Sequence, residues 1–260
     1  MSKVAVINCE SYETDEVLRA IDYGFELLGG VDKFAQKGTK VLLKPNMLSA
    51  DTPDKCVTTH PAIFYAVAKK FLETGAIVSY GDSPAIGNVV GASKRTGMHD
   101  AALELNVKLA DFKNGKDIRY EKGVQNKHFF VANAVLENDV VVSLPKLKSH
   151  GFQKFTGSVK NQMGCIPGLL KAEYHVKLPD AFDFAKMLLD LNAFVNPSLY
   201  VMDAVFAMEG NGPRGGIPRK MKLILMSADP IALDAVACKI INLDPNLVPT
   251  IYLGGQLGLN

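Results

Sequence analysis

The sequence predicts an α/β fold in which a mostly parallel sheet carries helices on both faces. Three observations lead to this prediction. Short apolar, β-branched runs alternate with segments of helical periodicity along the 260 residues, glycine and proline mark the junctions, and the run 139–147, DVVVSLPKL, has the composition of a strand buried on both faces. With 48% hydrophobic residues, the chain can form one domain with a substantial core, spanning residues 1–260.

The first half of the chain alternates strand and helix. The pattern predicts strands at 3–8, 39–44 and 76–81, and helices at 15–28, 60–74 and 88–106, the last interrupted at Gly97. Gly29 and Gly75 are typical helix stops, and Pro61 occupies the first helical turn, where proline is tolerated. The polar stretch 117–131 predicts an antiparallel hairpin that turns at Lys122-Gly123.

The second half continues the alternation. After the strand at 139–147, the pattern predicts strands at 199–204 and 221–228 and helices at 180–195 and 229–241. Residues 150–200 could form a small inserted α+β subdomain, basic and glycine-rich, whose limits no residue pattern fixes. The chain ends without a closing strand, as expected of a shorter form of a longer architecture.

Composition excludes several classes of function. A net charge of +2 is too small for a general nucleic-acid binder, and no apolar run is long enough to span a membrane. The first residues lack the layout of a signal peptide. We therefore expect a cytoplasmic protein with neither nucleic acid nor membrane as a partner; the sequence leaves the oligomeric state open.

Positive charge is concentrated between residues 144 and 177. This stretch holds six lysines and two histidines but a single acid, Glu173, and glycines interrupt it. A solvated basic helix face would carry interspersed acids, whereas glycines allow backbone N–H groups to approach a ligand. The stretch therefore predicts a site for an anion, with a solvated surface loop as the plain alternative.

Polar side chains also follow five of the predicted strands. They are Lys44 with Asn46, Asp82, then Lys146 with Lys148 and His150, Asp203, and Asp229. Ligands of open parallel sheets bind outside the carboxyl ends of the strands, so we expect these groups to meet there. The predicted anion-binding set is Lys44, Asn46, His60, Lys146, Lys148, Lys160, Asn161 and Gly164, joined by Glu209, Asn211 and Arg214 of the glycine-rich segment 208–216, which could instead form only a wide turn.

Candidates for chemistry lie in the same regions. His150 and His175 flank the basic stretch and are the preferred acid–base groups or metal ligands. Cys165 could be a reactive thiol beside Lys160 or a packed core residue. Asp82 and Asp203 could hold a divalent metal or orient partner groups, whereas Asp229 fits a helix cap. Neither a P-loop nor a G-x-G-x-x-G dinucleotide motif is present.

Several segments together resemble one known family. They are LKPNM (43–47), TTHP (58–61), GDSP (81–84), LPKLKSH (144–150), TGSVKNQMGCIPG (156–168), MDAVFAMEGNGPRGG (202–216) and SADPIALDAVA (227–237). In this order they are similar to the family catalogued as domain of unknown function 362. Many of its members are described as iron–sulfur cluster-binding or ferredoxin-like, because longer members carry a cysteine-rich module for four-iron clusters.

The four cysteines of this chain are scattered and include no C-x-x-C-x-x-C run, so the cluster is expected only in longer members. The resemblance implies a redox-associated setting. A looser similarity in residue types links the chain to lactate-racemase-like proteins, which hold a nickel-bearing nicotinic-acid cofactor with Lys and His at an α/β cleft.

Two functions of different classes follow. The first is a redox-associated enzyme that binds a small phosphate- or carboxylate-bearing ligand, with or without a divalent metal, in a basic cleft at the strand ends. The second is a non-enzymatic domain whose basic face docks an iron–sulfur module or an acidic electron carrier.

Overall fold

The computed structural model describes residues 2–258; residues 1, 259 and 260 of the predicted domain lie outside this range. The described strands are β1 (Ala5–Asn8), β2 (Lys40–Pro45), β3 (Ile77–Tyr80), β4 (Lys108–Leu109), β5 (Gly115–Arg119), β6 (His128–Ala132), β7 (Val140–Leu144), β8 (Lys146–His150), β9 (Lys154–Thr156), β10 (Leu199–Asn211) and β11 (Gly215–Ser227). The described α-helices are α1 (Thr14–Leu28), α2 (Pro61–Glu73), α3 (Val89–Arg95), α4 (Met98–Glu104), α5 (Asn133–Leu136), α6 (Ser158–Asn161), α7 (Leu170–Lys177), α8 (Ala181–Val195), α9 (Pro230–Ile240) and α10 (Pro249–Gln256). The α/β class is confirmed.

The main sheet has the order β1-β11-β10-β7-β2-β3-β4. Strands β10, β7, β2, β3 and β4 run parallel to one another, whereas β11 is antiparallel to both β10 and β1. Beyond β7, β10 pairs with β8, which carries β9. The predicted hairpin in 117–131 forms as the separate pair β5–β6. The sheet is therefore mostly parallel, with an antiparallel edge.

Alternate residues of the central strands enter two separate cores. In β2, Val41 and Leu43 face one core while Leu42 faces the other, and in β10 Val201 and Met202 divide in the same way. Apolar residues of α1, α2 and α4 complete the first core, and those of α8 and α9 the second. Near-continuous apolar strands are expected where both faces of a sheet are covered.

Several helices begin at the side chains that the sequence indicated. Asp180 and Asp229 accept hydrogen bonds from the first turns of α8 and α9, and His60 Nδ1 accepts one from Ala62 N of α2. The helical segment 88–106 is divided at Gly97, whose φ of 77° separates α3 from α4.

Two predicted elements have different limits in the structure. The single strand predicted over 139–147 is divided at Pro145 into β7 and β8, because proline has no N–H to donate to a ladder. Strands β10 and β11 have 13 residues each, so most of the glycine-rich segment 208–216 is paired in a hairpin rather than forming a wide loop. The short elements β4, β9, α5 and α7 were not predicted.

Asp229 does not share an edge with the other strand-end groups. Ser227 at the end of β11 pairs with Tyr200 at the start of β10, so the two strands end at opposite edges of the sheet. The expectation that all five strands present polar groups at one end was wrong for Asp229, which caps α9.

The stretch 150–200 contributes β9 to the main sheet and α8 to the second core. Its status as an inserted subdomain stays a prediction. Among residues 2–258, each helix is too short or too polar to span a lipid bilayer.

Candidate functional site

An ion pair between Lys44 and Asp82 forms the centre of the candidate site. Lys44 is the next-to-last residue of β2 and Asp82 follows β3, and the parallel pairing of these strands brings both to one edge. Lys44 Nζ lies 2.8 Å from Asp82 Oδ1, and both side chains are almost completely shielded from solvent. The carboxylate also accepts hydrogen bonds from Met47 N at 2.7 Å and Ser83 N at 3.0 Å. These backbone donors hold the Asp82 carboxylate in place, and the carboxylate in turn positions Lys44.

Gly164 lies directly against this ion pair. A Cβ added there would overlap Asp82 Oδ1 and come within 2.7 Å of Lys44 Nζ. Its carbonyl accepts a hydrogen bond from Ser83 N at 3.1 Å. A glycine is therefore required at this position because the backbone approaches the ion pair closely.

Two asparagines connect Lys44 to Lys148. Asn161 Oδ1 accepts hydrogen bonds from Lys44 Nζ at 3.2 Å and from Asn46 Nδ2 at 3.1 Å. Asn46 Oδ1 in turn accepts one from Lys148 Nζ at 3.0 Å. The structure thus brings together four residues of the predicted anion-binding set.

A second buried ion pair joins Lys146 to Asp203. Lys146 Nζ lies 2.8 Å from Asp203 Oδ2, and both side chains are inaccessible to solvent. Asp203 also accepts hydrogen bonds from Tyr12 Oη at 2.8 Å and His60 N at 2.8 Å. The rings of Tyr12 and His60 stack with centroids 3.6 Å apart. Burial lowers the pKa of His60 to about 4, so this imidazole is neutral near pH 7.

Lys148 and Lys160 have no carboxylate partner within residues 2–258. Lys148 is buried and donates only to Asn46 Oδ1 and, at 2.6 Å, to the carbonyl of Val57. Lys160 is half-buried and makes no hydrogen bond to the described residues. Burial, then repulsion by neighbouring lysines, lowers the pKa of Lys148 to about 7 and that of Lys160 to about 8. The site therefore holds more positive than negative groups.

A cavity of 210 Å³ opens beside these groups. Its walls come from the loops after β2 and β3, from α6 with the turn that follows it, and from α7. The polar lining side chains are Asn46, Asp82, Ser83, Lys160, Asn161, Lys171 and His175. It is a small, partly polar space at the carboxyl ends of the parallel strands, where ligands of open parallel sheets commonly bind.

The two preferred histidines differ in their placement. His175 lines the cavity, and its ring stacks on Phe184 with centroids 4.4 Å apart. His150 Nδ1 accepts hydrogen bonds from Phe152 N and Gln153 N at 3.1 and 3.2 Å, which places the ring proton on Nε2. Burial, followed by repulsion from Lys160, lowers the pKa of His150 to about 3 and also lowers the pKa of His175.

Of the predicted ligand residues, only Asn46, Lys160, Asn161 and Gly164 line this cavity. Lys44, His60, Lys146 and Lys148 lie behind its wall, and three others lie farther away. Glu209 and Asn211 are exposed near the tip of the β10–β11 hairpin, and Glu209 lies 3.7 Å from Arg219. Arg214 pairs with Asp51 at 3.0 Å. None of the three lines the cavity, because the continued pairing of β10 with β11 carries them away from it.

Cys165 is a completely buried member of the second core. Its surroundings raise the pKa of the thiol to about 12, chiefly through burial, so a thiolate at neutral pH is strongly disfavoured. This environment matches the alternative of a packed core residue.

The described residues do not fit a metal or a four-iron cluster. Residues 2–258 contain no group of three or more His, Cys, Asp or Glu side chains arranged to hold a metal ion. Asp82 and Asp203 each engage a lysine and backbone N–H groups instead. All four cysteines are buried and free.

Two residues of the site were not predicted from the sequence. Tyr12 precedes α1 and shows no signal beyond its type. Lys171 counted toward the basic stretch, but nothing in the sequence revealed its partners. Its Nζ donates to Ser83 O at 2.6 Å, Ser83 Oγ at 2.7 Å, and the carbonyls of Pro84 and Ile166 at 3.2 Å, so it ties the loop after β3 to the start of α7.

Comparison with known proteins gives one family match and one curated relative. The family model described as Domain of unknown function (DUF362) matches residues 41–239. A thylakoid-associated protein of Synechocystis sp. is 36% identical over 262 residues, covering 100% of this chain and 81% of its own length. The expectation of a cytoplasmic location stays a prediction.

Two solved structures share the fold. The lactate racemase apoprotein from Thermoanaerobacterium thermosaccharolyticum superposes with a TM-score of 0.58 over 91% of this chain at 13% identity. A crystal structure of a Thermotoga maritima protein gives a TM-score of 0.53 over 91% of this chain at 10% identity. The chain spans 56% and 61% of their respective lengths. Because the sequence identities are only 13% and 10%, the likeness concerns the fold alone.

Proposed function

We propose that this chain, which belongs to the DUF362 family, is an enzyme that binds a small carboxylate- or phosphate-bearing ligand in the 210 Å³ cavity. The proposal is based on the geometry of the site. The observation that carries the proposal is the excess of lysines over acids. Lys44 and Lys146 each have an aspartate, whereas Lys148 and Lys160 have none within residues 2–258. Of these four lysines, Lys160 lines the cavity itself.

A buried ammonium group without a counter-ion is costly, because burial removes its hydration. A ligand anion would offset that cost for the ammonium groups that are still protonated, which is below about pH 7 for Lys148 and below about pH 8 for Lys160. The free protein is thus prepared for an anion that its own residues do not supply.

The size of the cavity limits the ligand. Its 210 Å³ corresponds to about seven water volumes, at roughly 30 Å³ each. This suits a small organic acid or a phosphate ester of similar size better than a dinucleotide.

Acid–base chemistry is the proposed reaction type. His175 lines the cavity and has a lowered pKa, so its neutral form can accept a proton from a bound ligand near pH 7. Asp82 and Asp203 orient Lys44 and Lys146, which corresponds to the partner-orienting role considered for them from the sequence. The redox setting, a divalent metal and the docking of an iron–sulfur module stay predictions, since no contact among the described residues favours them.

Thermal unfolding with a panel of small carboxylates and phosphates tests the proposal. A ligand present at 100 times its Kd stabilises the folded state by about 2.7 kcal/mol, which a melting curve readily detects. We expect Lys160→Met to abolish the shift and Lys177→Met, which removes an exposed lysine of the same basic stretch, to preserve it. A shift that is equal in both variants would refute the site, and the absence of any shift with the wild type would refute the function.

A further inference from the structure

We infer that Lys160 is a nucleophilic amine that forms an imine with the carbonyl group of a small 2-oxo acid. This inference rests on the proposed function, because the carboxylate of such a ligand would occupy the same cavity. It adds the chemical class of the substrate and assigns a covalent step to one side chain.

The first support is the freedom of the Lys160 amine. Two lysines line the cavity, and they differ sharply. Lys171 Nζ is surrounded by four acceptors from Ser83, Pro84 and Ile166, which leaves its protons committed. Lys160 Nζ makes no hydrogen bond or ion pair to the residues that the structure describes, so its amine is available to a ligand.

The second support is the charge around Lys160. Four titratable groups interact electrostatically with Lys160, and in their protonated forms all four repel its ammonium charge. They are Lys44 on β2, Lys148 and His150 on β8, and His175 on α7. No carboxylate is paired with it to hold the proton. A lysine beside other cations and partly removed from water is a typical nucleophile for carbonyl groups.

The third support is the charge that remains when Lys160 is neutral. Near pH 8, where burial has lowered the pKa of both Lys160 and Lys171, a fraction of the molecules has Lys160 neutral and Lys171 protonated; Lys44 and Lys171 then carry two positive charges against the single carboxylate of Asp82. The balance suits a ligand with one carboxylate. A carbonyl next to that carboxylate would place its carbon within a cavity of 210 Å³ together with the Lys160 amine.

The proposed step balances without an oxidant or reductant. The neutral Nζ donates its lone pair to the carbonyl carbon, a C–N bond forms, and the carbonyl oxygen takes up a proton to give a carbinolamine. The carbon–oxygen bond then breaks, the oxygen leaves as water after a second protonation, and Nζ loses its protons to give the imine. His175, on the cavity wall, is placed to relay these protons.

The imine would make the ligand reactive at the neighbouring carbon. Once protonated, its nitrogen withdraws electrons from that carbon, as Schiff bases of lysine do generally. The reaction class is therefore proton removal or carbon–carbon bond cleavage beside the carbonyl.

Reductive trapping tests the inference on the full chain. The protein is incubated with pyruvate and cyanoborohydride, and the modified residue is located by peptide mass mapping. We expect one reduced pyruvate adduct on Lys160, formed about tenfold faster than on exposed lysines, because its amine is neutral at lower pH. Lys171 has a similarly lowered pKa, but its Nζ is held by four acceptors and should not react. The trapping rate should rise as pH increases through about 8 rather than near the ordinary lysine value.

Two variants and one non-carbonyl ligand complete the design. Lys160→Arg keeps the charge but cannot form an imine, so trapping should disappear, whereas Lys177→Arg should leave it unchanged. Oxalate, measured by calorimetry, reports anion binding without imine formation. If oxalate binds and no adduct forms on Lys160, or adducts spread over exposed lysines, the imine is overturned while the anion site stands. If neither oxalate nor pyruvate binds, the proposed function fails as well.

Discussion

At the scale of single residues, the site is a set of buried lysines with too few acids. Lys44 and Lys146 are stabilised by Asp82 and Asp203, and Lys148 by neutral acceptors. Lys160 has no such compensation among the described residues. The charge of Lys160 lowers the stability of the free protein, and no neighbouring group offsets this cost. A ligand explains such a residue best, since functional sites commonly lower the stability of the free protein.

Lys160→Met should therefore stabilise the free protein while weakening ligand binding. The variant removes a half-buried charge without breaking a hydrogen bond within residues 2–258, so we expect the free energy of unfolding at pH 7 to rise by up to about 1 kcal/mol. Chemical denaturation of both proteins measures this change. A loss of stability of similar size would show that Lys160 has a structural partner.

The same stability difference should depend on pH in a defined direction. The pKa of Lys160 is lowered in the folded state to about 8 from an unfolded value of 10.5. Below pH 8 the lysine is charged in both states and the wild type bears the full cost. Above 10.5 it is neutral in both states and the cost disappears. The advantage of the variant should be greatest below pH 8 and shrink toward pH 10.5; an advantage that grows with pH would contradict the assignment.

Gly164→Ala tests the close approach of the backbone to the Lys44–Asp82 pair. The added methyl group would overlap Asp82 Oδ1, so the ion pair must move or separate. We expect unfolding free energy to fall by about 1–3 kcal/mol, as for overpacking in a core, and ligand-induced stabilisation to be lost. Gly151→Ala, where an added Cβ meets no atom within 4 Å, is the matched control and should change neither quantity.

At the scale of elements, a buried carboxylate from α9 positions the short helix that carries Lys160 and Asn161. Asp234 Oδ1 accepts from Ser158 N at 2.7 Å, and Oδ2 from Val159 N at 3.3 Å, at the start of α6. Gly157 precedes them because a Cβ there would collide with this carboxylate. A helix of only 4 residues depends on such a tertiary cap.

Asp234→Ala should therefore weaken both folding and binding. Losing the cap leaves two buried N–H groups without an acceptor, so we expect a cost of about 2 kcal/mol in unfolding free energy and a loss of ligand affinity as Lys160 shifts. Asp180→Ala removes the cap of α8, which carries no side chain that lines the cavity. It should cost stability alone; equal loss of affinity in both variants would contradict the positioning role of Asp234.

The helices were largely predictable at this scale and the strand limits less so. His60, Asp180 and Asp229 each stand before an apolar periodic segment, which is local information. The division of β7 from β8 at Pro145 depends on which strands lie beside it, because proline has no N–H to donate to a neighbour. The lengths of β10 and β11 depend on their pairing with each other. Both are tertiary facts.

At the scale of the whole molecule, sheet topology assembles the site. The parallel order of β10, β7, β2 and β3 brings Lys44, Asp82, Lys146 and Asp203 to one edge, which the strand-end rule predicted from sequence. The pairing of each lysine with its aspartate was not predictable, because Lys146 and Asp203 are 57 positions apart and any lysine could have met either acid. Tyr12 was missed for the same reason: its partner Asp203 lies 191 positions away.

Isothermal calorimetry of the full chain with oxalate, from about pH 6 to about pH 9, tests the central claim most directly. We predict saturable binding of one anion per chain that weakens as pH rises, because Lys160 and Lys171, which line the cavity, lose their protons near pH 8. In Lys160→Met the affinity should fall by about 2 kcal/mol or more, roughly thirtyfold, and in Lys177→Met it should not change. Binding that strengthens with pH, or that Lys160→Met leaves intact, would contradict the account.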